Sequence, residues 1–368
     1  MKPPSSSSKK ILILHASAGA GHRKAAEAVF NGLRRRGTSA DIVDALTYTS
    51  PFFRKTYSQG YEFMVGKLPK LWAVFFGLTD QKWFQPVFRA VRRLYNRLNA
   101  APLVRFIRDG QYDVIVTTHF LSTEVCGWLR RSGQISAKFV TVVTDFDVHR
   151  IWQVRGVDVY LVASEYTRRR LIALGVDEKQ VFVTGIPVDE KFIRPRDKGE
   201  TRRRLGLREN LFTVLLSTSS FGFGPIEELA TLLKDIQLII ICGNNKVLFE
   251  KMMARGNALH KICGFVDNME EMMAASDVML TKPGGLSVSE ALANNLPLIF
   301  FSAIPGQEAG NVRVLAEHGI GLSDKTLPEI AAALKTFAAS PETFQAAREA
   351  TKVLARPHSV ADVISHLI

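Results

Sequence analysis

The chain has 368 residues, of which 46% are hydrophobic and 23% are charged, and its formal net charge is +13. These values exclude a largely disordered chain and predict two domains of roughly 150–200 residues each. The excess of positive charge indicates an anionic partner, which could be nucleic acid, a negatively charged membrane or a phosphorylated ligand.

The start of the chain and its cysteines bear on localisation. No apolar run reaches the roughly 20 residues that a transmembrane helix needs, and residues 1–9 predict a disordered tail instead of a secretion signal. Cys126, Cys242 and Cys263 form no CxxC pair, which favours a reducing compartment without disulfides or a zinc site. We therefore expect a peripheral protein on the cytoplasmic side of a membrane.

The first half of the chain alternates apolar strands with helices, which predicts an α/β domain with a parallel sheet. A strand at 10–14, a helix at about 22–36 and a strand at 41–45 form its first strand–helix–strand (βαβ) motif. Further strands are predicted at 112–117, 138–144, 157–162 and 180–184. The domain is expected to span 10–190, and the polar segment 191–204 is expected to be a linker.

The alternation then restarts, which predicts a second α/β domain over 205–355. Its strands are expected at 212–217, 238–242, 263–266, 277–281 and 298–301. We expect residues 356–368 to form a helix that packs back on the first domain. Because ligands of open α/β sheets bind beyond the carboxyl ends of the strands, two such Rossmann-like domains should face each other across a ligand-binding cleft.

Residues 51–99 interrupt the strand–helix rhythm with an insertion that is rich in aromatic and basic side chains. This mixture favours an interfacial segment on anionic lipid, to which each lysine or arginine contributes on the order of 1 kcal/mol. Nucleic acid is the alternative partner, but no RNA- or DNA-binding motif occurs. The residues assigned to membrane contact are Trp72, Phe75, Trp83, Arg89, Arg92 and Arg93.

A turn of small residues, SAGAGH at 17–22, joins the first strand to the first helix. Glycines there let a ligand approach the backbone, and a helix N-terminus favours anions. A complete dinucleotide-binding motif is absent, because residue 24 is lysine. His22 could act as general base on an acceptor hydroxyl, with its pKa lowered by the helix N-terminus. A histidine that only caps the helix is the alternative.

A second glycine turn, TKPGGLSVSE at 281–290, also joins a strand to a helix. Backbone N–H groups of residues 285–287 could hold a diphosphate, and Glu290 could accept hydrogen bonds from a ribose. Ser287 and Glu290 also have the spacing of a capping box, which needs no ligand.

Three further polar segments lie beside predicted strands. PGQE at 305–308, with Asn311, suits sugar hydroxyls, although an early glutamate also stabilises a helix. The loop STSSFGFG at 217–224 is either a second phosphate-facing loop or a plain turn. Asp145, Asp147 and His149 are a thin ligand set for a divalent metal, so Asp147 and His149 are assigned to orienting the acceptor or the donor sugar.

Taken together, these motifs resemble the diacylglycerol glycosyltransferases, namely the plant monogalactosyldiacylglycerol synthases and the bacterial processive diacylglycerol glucosyltransferases. Those enzymes are similar in turn to the N-acetylglucosaminyltransferase that completes the peptidoglycan lipid precursor. The segments that carry the resemblance are HASAGAGHRKAAEAV at 15–29, VVTDFDVHRIW at 142–152, VDVYLVASE at 157–165, VTGIPV at 183–188, GFVDNMEEMMAASDVMLTKPGGLSVSEAL at 264–292 and PGQEAGN at 305–311.

The resemblance implies a GT-B fold and an inverting, metal-independent displacement without a cofactor. It makes His22 the base, with Gly21, Asp147 and His149 on the acceptor and sugar side. It implies UDP-glucose or UDP-galactose as donor, diacylglycerol as acceptor and anionic lipids as partners. The implied donor-binding residues are Gly264, Phe265 and Val266 for uracil, Glu290 for ribose, Gly284, Gly285, Leu286 and Ser287 for the diphosphate, and Gln307, Glu308 and Asn311 for the sugar.

The chain departs from the family pattern in one loop, where Thr218, Ser219 and Ser220 replace a glycine cluster. Bulkier residues narrow the approach to the phosphates, although their hydroxyl groups can donate hydrogen bonds. Two alternatives therefore stay open. The fold could serve a polyprenyl-linked or other hydrophobic acceptor, or the protein could bind UDP-sugars without catalysis. The sequence leaves open the hexose, the number of sugars added and the oligomeric state.

Overall fold

The computed structural model describes residues 9–17, 19–218, 224–301, 303, 306–323 and 325–368. The expected disordered tail lies outside these residues, except for Lys9. The chain divides into two compact units. The first unit comprises residues 1–190, 305–307 and 358–368, and the second comprises 191–304 and 308–357.

A six-stranded parallel sheet forms the centre of the first unit, with the strand order β2-β1-β3-β4-β5-β6. Its central strands are mostly apolar and buried because helices cover both faces of a parallel sheet. The strands are β1 (Ile11–His15), β2 (Ala40–Asp44), β3 (Val114–Thr117), β4 (Lys138–Val142), β5 (Val159–Val162) and β6 (Val181–Val183).

Eight helices of the described residues belong to the first unit, and three of them make up most of the insertion at 51–99. Ser50 caps the first helix of the insertion by accepting the N–H of Phe53. The helices are α1 (Ala20–Arg35), α2 (Pro51–Lys67), α3 (Pro69–Asp80), α4 (Gln85–Asn99), α5 (Ala101–Gly110), α6 (Phe120–Arg131), α7 (Glu165–Ala173) and, at the end of the chain, α16 (Ser359–Ser365).

The C-terminal helix α16 packs on α1. Gly32 of α1 lies so close to Val360 that a Cβ atom at position 32 would overlap its side chain. Val360, Val363 and Ile364 join the apolar cluster beneath the sheet. The end of the chain therefore completes the core of the first unit.

The second unit is built on a five-stranded parallel sheet with the order β11-β10-β7-β8-β9. Its strands are β7 (Thr213–Ser217), β8 (Gln237–Ile241), β9 (His260–Cys263), β10 (Val278–Thr281) and β11 (Leu298–Phe300). Its helices in the described residues are α8 (Lys198–Arg204), α9 (Ile226–Leu232), α10 (Lys246–Arg255), α11 (Met269–Ala275), α12 (Gly285–Ala293), α13 (Gln307–Ala316), α14 (Leu327–Ala339) and α15 (Pro341–Leu354).

The structure differs from the sequence expectation in the segment 191–204, which folds on the second unit instead of forming an open linker. Asp197 caps α8 by accepting the N–H of Glu200. Arg202 is buried, pairs with Asp277 at 2.6 Å and donates to the carbonyl of Ala275 at 2.8 Å. The polar composition of this segment therefore reflects internal ion pairs as well as solvation.

Within the part of the chain that the structure describes, no helix combines the length and the apolar character needed to cross a membrane.

Candidate active site

The catalytic candidate His22 lies in the first turn of α1, directly after the carboxyl end of β1. Its Nδ1 lies 2.7 Å from the backbone carbonyl oxygen of Thr118 and 2.9 Å from the hydroxyl oxygen of Thr144. The hydroxyl of Thr118 donates in turn to the carbonyl of His22 at 2.9 Å. Because a carbonyl can only accept, Nδ1 carries the ring proton and Nε2 keeps its lone pair.

The sheet topology brings these residues together. β1 pairs with β3, and β3 pairs with β4. Thr118 follows β3 directly, and Thr144 lies two residues beyond β4. Parallel neighbouring strands end at the same edge of a sheet, so residues about a hundred positions apart surround one imidazole.

The environment of His22 keeps its ring neutral. Burial lowers the pKa of His22 to about 4, and the hydrogen bond to the Thr118 carbonyl opposes this shift only in part. The position of His22 in the sequence predicted a pKa lowered by the helix N-terminus, whereas burial has the largest effect in the structure. A neutral imidazole is the form that can accept a proton at physiological pH.

Two further histidines near His22 were missed by the sequence analysis. The His119 ring meets the His22 ring edge-on, with 4.5 Å between centroids, and its Nδ1 accepts the N–H of Leu121. Burial holds the pKa of His119 well below its usual value and also lowers the pKa of His15 at the end of β1. Both could have been found from their position, because His15 is the last residue of the apolar strand β1 and His119 lies two residues after the apolar strand β3.

The structure gives His149 a structural role instead of the sugar-facing role that the sequence predicted. Its Nδ1 accepts the N–H of Ile151 at 3.0 Å, and its Nε2 lies 3.1 Å from the carbonyl of Phe76. Both ring nitrogens therefore make contacts that hold the short 3₁₀ helix Arg150–Trp152 against α3. Gly21 and Asp147, the other residues assigned to this side, are half-buried.

The glycine turn of the second unit begins α12. Gly284 is the N-cap residue, which leaves backbone N–H groups of the first turn without helical carbonyl partners. Gly285 is buried, and Leu286 and Ser287 are half-buried. Ser287 lies inside the helix and does not cap it, so the capping-box alternative for Ser287 and Glu290 is wrong. Glu290 lies one turn further along and is half-buried.

Asn311 and Glu308 flank this turn from α13. Asn311 is fully buried and donates to the carbonyl of Pro283 at 3.0 Å, so it holds the turn in place. The Oε1 atom of Glu308 lies 3.7 Å from the point that a Cβ on Gly284 would occupy. Both residues were predicted to face the donor sugar. The Asn311 contact instead indicates a positioning role, and the role of Glu308 stays a prediction.

The segment assigned to uracil follows β9, the last strand in its part of the sheet. Gly264 and Val266 are half-buried, and the ring of Phe265 is 59% exposed. Backbone groups at the carboxyl end of an outer strand are accessible to a flat ligand. The side chain of Gln307 and residues Ser219 and Ser220, which the sequence analysis also named, lie outside the described part of the chain.

The residues assigned to the membrane divide into two groups. The Trp83 side chain is 70% exposed and Phe75 is 44% exposed, whereas Trp72 is half-buried. Arg89 donates to Gln153 at 2.7 Å, and Arg92 forms a buried ion pair with Glu124.

The assignment of Arg92 to lipid was therefore wrong, since its ion pair holds α4 on the first unit. Arg89 also makes an internal contact, and its assignment to lipid stays a prediction. The Arg93 side chain lies outside the description. Among the side chains that the structure describes, no group of three or more His, Cys, Asp or Glu residues could hold a metal ion.

Two family models match the chain. Residues 22–188 match the model described as monogalactosyldiacylglycerol (MGDG) synthase, and residues 225–364 match the glycosyltransferase family 28 C-terminal domain. A probable chloroplastic monogalactosyldiacylglycerol synthase 2 of Oryza sativa subsp. indica is 31% identical over 98% of this chain and 80% of the relative. The processive diacylglycerol beta-glucosyltransferase of Bacillus subtilis is 28% identical over 98% of this chain and 95% of the relative.

Solved structures share the fold at low sequence identity. MurG of Acinetobacter baumannii superposes with a TM-score of 0.60 at 16% identity, covering 97% of this chain and 99% of that chain. HepE of Anabaena in complex with UDP-glucose superposes with a TM-score of 0.57 at 17% identity, covering 97% of this chain and 100% of that chain. These similarities confirm the predicted fold class.

Proposed function

Because this chain belongs to the monogalactosyldiacylglycerol synthase family, we propose that it moves a hexose from a UDP-sugar to a hydroxyl of diacylglycerol or of its glycosylated product. The family resemblance predicted from the sequence motifs is thereby confirmed, and the chain is an enzyme of the sugar-transferring class. The relatives named above include both a galactolipid synthase and a glucosyltransferase, so UDP-galactose and UDP-glucose are the two donors to test.

The observation that carries the proposed mechanism is the hydrogen bond from His22 Nδ1 to the Thr118 carbonyl. It supports a role for Nε2 as the base. In the proposed step Nε2 takes the proton of the acceptor hydroxyl, and the oxygen forms a bond to the anomeric carbon of the hexose. The bond from that carbon to the diphosphate breaks, and its electron pair leaves with UDP.

Displacement from the face opposite the leaving group inverts the anomeric centre. The charge that develops on UDP needs stabilisation as the bond breaks. The N-terminus of α12 suits that role, because N–H groups of its first turn lack helical partners and the helix dipole favours anions. Glu290, one turn into α12, is proposed to accept hydrogen bonds from the ribose of UDP.

We assign membrane contact to an apolar face on the insertion helices. On α3 its residues recur at the three- and four-residue spacing of one helical side, and α4 continues it at four-residue spacing. Exposed Lys67, Lys70 and Lys82 add positive charge beside it, which suits anionic lipid. The apolar face consists of Leu71, Val74, Phe75, Leu78, Trp83, Val87 and Val91.

We propose that this surface binds peripherally to a membrane that contains the acceptor lipid, on its cytoplasmic side. The exposed ring of Phe75 on α3 is in edge-to-face contact with the half-buried ring of Phe88 on α4, with 6.1 Å between centroids, so the α3 and α4 parts of the face adjoin. Apolar side chains at an interface and cations beside them together bind more tightly than either alone.

The direct test uses purified protein and liposomes that contain diacylglycerol and an anionic lipid, with UDP-glucose or UDP-galactose as donor. We expect a glycolipid product with one of the two donors. UDP-sugar hydrolysis, or UDP binding without any lipid product, would instead favour a different hydrophobic acceptor or a non-catalytic binding protein.

The role of His22 is tested by His22→Ala. We expect this variant to lose transfer by at least about 100-fold, because general base catalysis contributes typically that much or more, while UDP still binds. His358→Ala is the matched control, since this exposed histidine makes no side-chain cap on α16. Wild-type turnover in His22→Ala would remove His22 as the base.

A further inference from the structure

The glycine turn before α12 contains a lysine that the proposed transfer has not yet used. We propose that Lys282 binds the diphosphate of the donor and stabilises the charge of the departing UDP, and that Glu308 holds this ammonium group when no donor is bound. The inference rests on the proposed function, because it names a further residue of the same donor site.

The backbone places Lys282 beside the start of α12. Lys282 is the first residue after β10, and the N–H of Gly284 donates to its carbonyl at 2.9 Å. Pro283 between them is buried and is held by Asn311 at 3.0 Å. The lysine is therefore attached to the rigid turn whose N–H groups suit a phosphate, and not to a mobile surface loop.

The lysine is half-buried, which is unusual for an ammonium group without an anionic partner. Burial lowers the pKa of Lys282, and the charge of Glu308 opposes that shift. An anion that replaced the Glu308 carboxylate would likewise raise the pKa of Lys282. A negative charge beside Lys282 therefore favours its charged form.

Glu308 supplies that charge from directly above the glycine turn. Its Oε1 atom lies 3.7 Å from the point where a Cβ on Gly284 would be, so the carboxylate is within van der Waals distance of the glycine turn. A diphosphate at the N-terminus of α12 would approach the same glycine. Because two anions repel at such a distance, donor binding is expected to move Glu308 and to transfer Lys282 to the phosphates.

Lysine is suited to this exchange. Its ammonium is a compact charge with three rotatable donors, and it can therefore change partners without the fixed planar geometry that arginine requires. The α12 N-terminus and the ammonium act on the same anion from adjacent positions, and both interactions strengthen as charge develops on the leaving diphosphate.

The test compares the binding of UDP and of uridine by titration calorimetry to the wild type, Lys282→Met and Lys282→Arg. We expect Lys282→Met to weaken UDP binding about 10- to 100-fold, the range of a hydrogen bond to a charged group, and to leave uridine binding unchanged. Lys282→Arg should restore part of the loss. Lys335→Met, at an exposed position of α14, is the matched control.

Glu308→Gln separates the proposed exchange from a direct contact of Glu308 with the donor sugar. If Glu308 competes with the diphosphate, the variant binds UDP several-fold more tightly than the wild type. A variant that binds UDP like the wild type but binds the UDP-sugar more weakly would assign Glu308 to the sugar and overturn the exchange.

The outcomes distinguish this inference from the proposed function. If the wild type binds UDP and Lys282→Met binds it equally well, the assignment of Lys282 is overturned and the transfer proposal stands. If the wild type binds neither UDP nor a UDP-sugar, the proposed function itself fails. Thermal unfolding of each variant, together with retained uridine binding, shows that a loss of UDP binding is not a loss of the fold.

Discussion

At the residue scale, the most informative contact is the one that sets the tautomer of His22. A histidine at a helix start can serve many purposes, and only its partners distinguish them. The Thr118 carbonyl fixes the proton on Nδ1, and the Thr144 hydroxyl lies close enough to share it. The neighbouring His119 is held in the opposite tautomer, because its Nδ1 accepts a backbone N–H.

The lowered pKa of His22 predicts the acid side of the pH profile. Because the folded enzyme protonates this ring only near pH 4, kcat/KM should stay within about twofold between pH 7 and pH 5 and fall below that. A histidine exposed to water would lose activity around pH 6.5 instead. The measurement is kcat/KM against pH with water-soluble diacylglycerol analogues or mixed micelles.

Stability must be followed over the same pH range, and its direction can be stated. The pKa values of His22, His119 and His149 are all lowered in the folded protein. Below about pH 6.5 the unfolded chain therefore binds protons that the folded chain does not, and stability falls as pH falls. A loss of activity centred near pH 6.5 without any change in thermal unfolding would contradict the assignment of the base.

At the element scale, the insertion at 51–99 stands out because packing within the protein does not account for many of its large apolar side chains. Its helices leave a row of large apolar side chains exposed, including Leu71, Val74 and Trp83. Other side chains of the same helices attach these helices to the rest of the first unit, as Arg92 of α4 does through its ion pair with Glu124 of α6. Exposed apolar groups cost free energy in water, so a row of them indicates a non-aqueous partner.

The double variant Val87→Ser and Val91→Ser tests the apolar face. These side chains are 61% and 62% exposed on α4, so the change should leave the fold intact. We expect binding to anionic vesicles to fall by about tenfold or more, given roughly 0.8 kcal/mol for each buried methylene-sized group, while UDP binding stays unchanged. Vesicle co-sedimentation measures the first quantity.

Val353→Ser is the matched control for that experiment, because Val353 is 53% exposed on α15 of the second unit. Equal vesicle binding by the double variant and the control would show that lipid contact lies elsewhere on the protein.

At the scale of the whole molecule, the first unit is built from segments that are far apart in the sequence. The chain passes through the second unit and then returns to the first, where α16 packs on α1. Each unit keeps its own parallel sheet and its own apolar clusters. Residues at the very end of the sequence are therefore part of the core that supports His22.

The variant Val363→Asp tests this return of the chain. Val363 is fully buried against the first unit, and a carboxylate there would lack a partner. We expect a loss of about 3 kcal/mol or more in the free energy of unfolding and a matching loss of transfer. Chemical denaturation measures the change, and Val353→Asp, at an exposed site, should have little effect. An unchanged unfolding curve for Val363→Asp would contradict the packing of α16.

The sequence was sufficient for some residues and insufficient for others, for identifiable reasons. His22 and Gly284 could be singled out as candidates because each lies in a glycine turn between a strand and a helix, a pattern confined to a few consecutive residues. His119 could not be found, since it meets His22 only through the pairing of β1 with β3. Arg92 was misassigned because a buried ion pair and a lipid-facing cation have the same local sequence.

The sequence by itself determined the alternation of strands and helices, the two parallel sheets and the family, because periodicity and short motifs are local properties of the chain. Only the tertiary structure decided which tautomer His22 adopts, which arginines are internal and which carboxylate lies over the Gly284 turn. These properties depend on distances between residues that are far apart along the chain. Such distances follow from strand order and packing, which no local pattern of residues specifies.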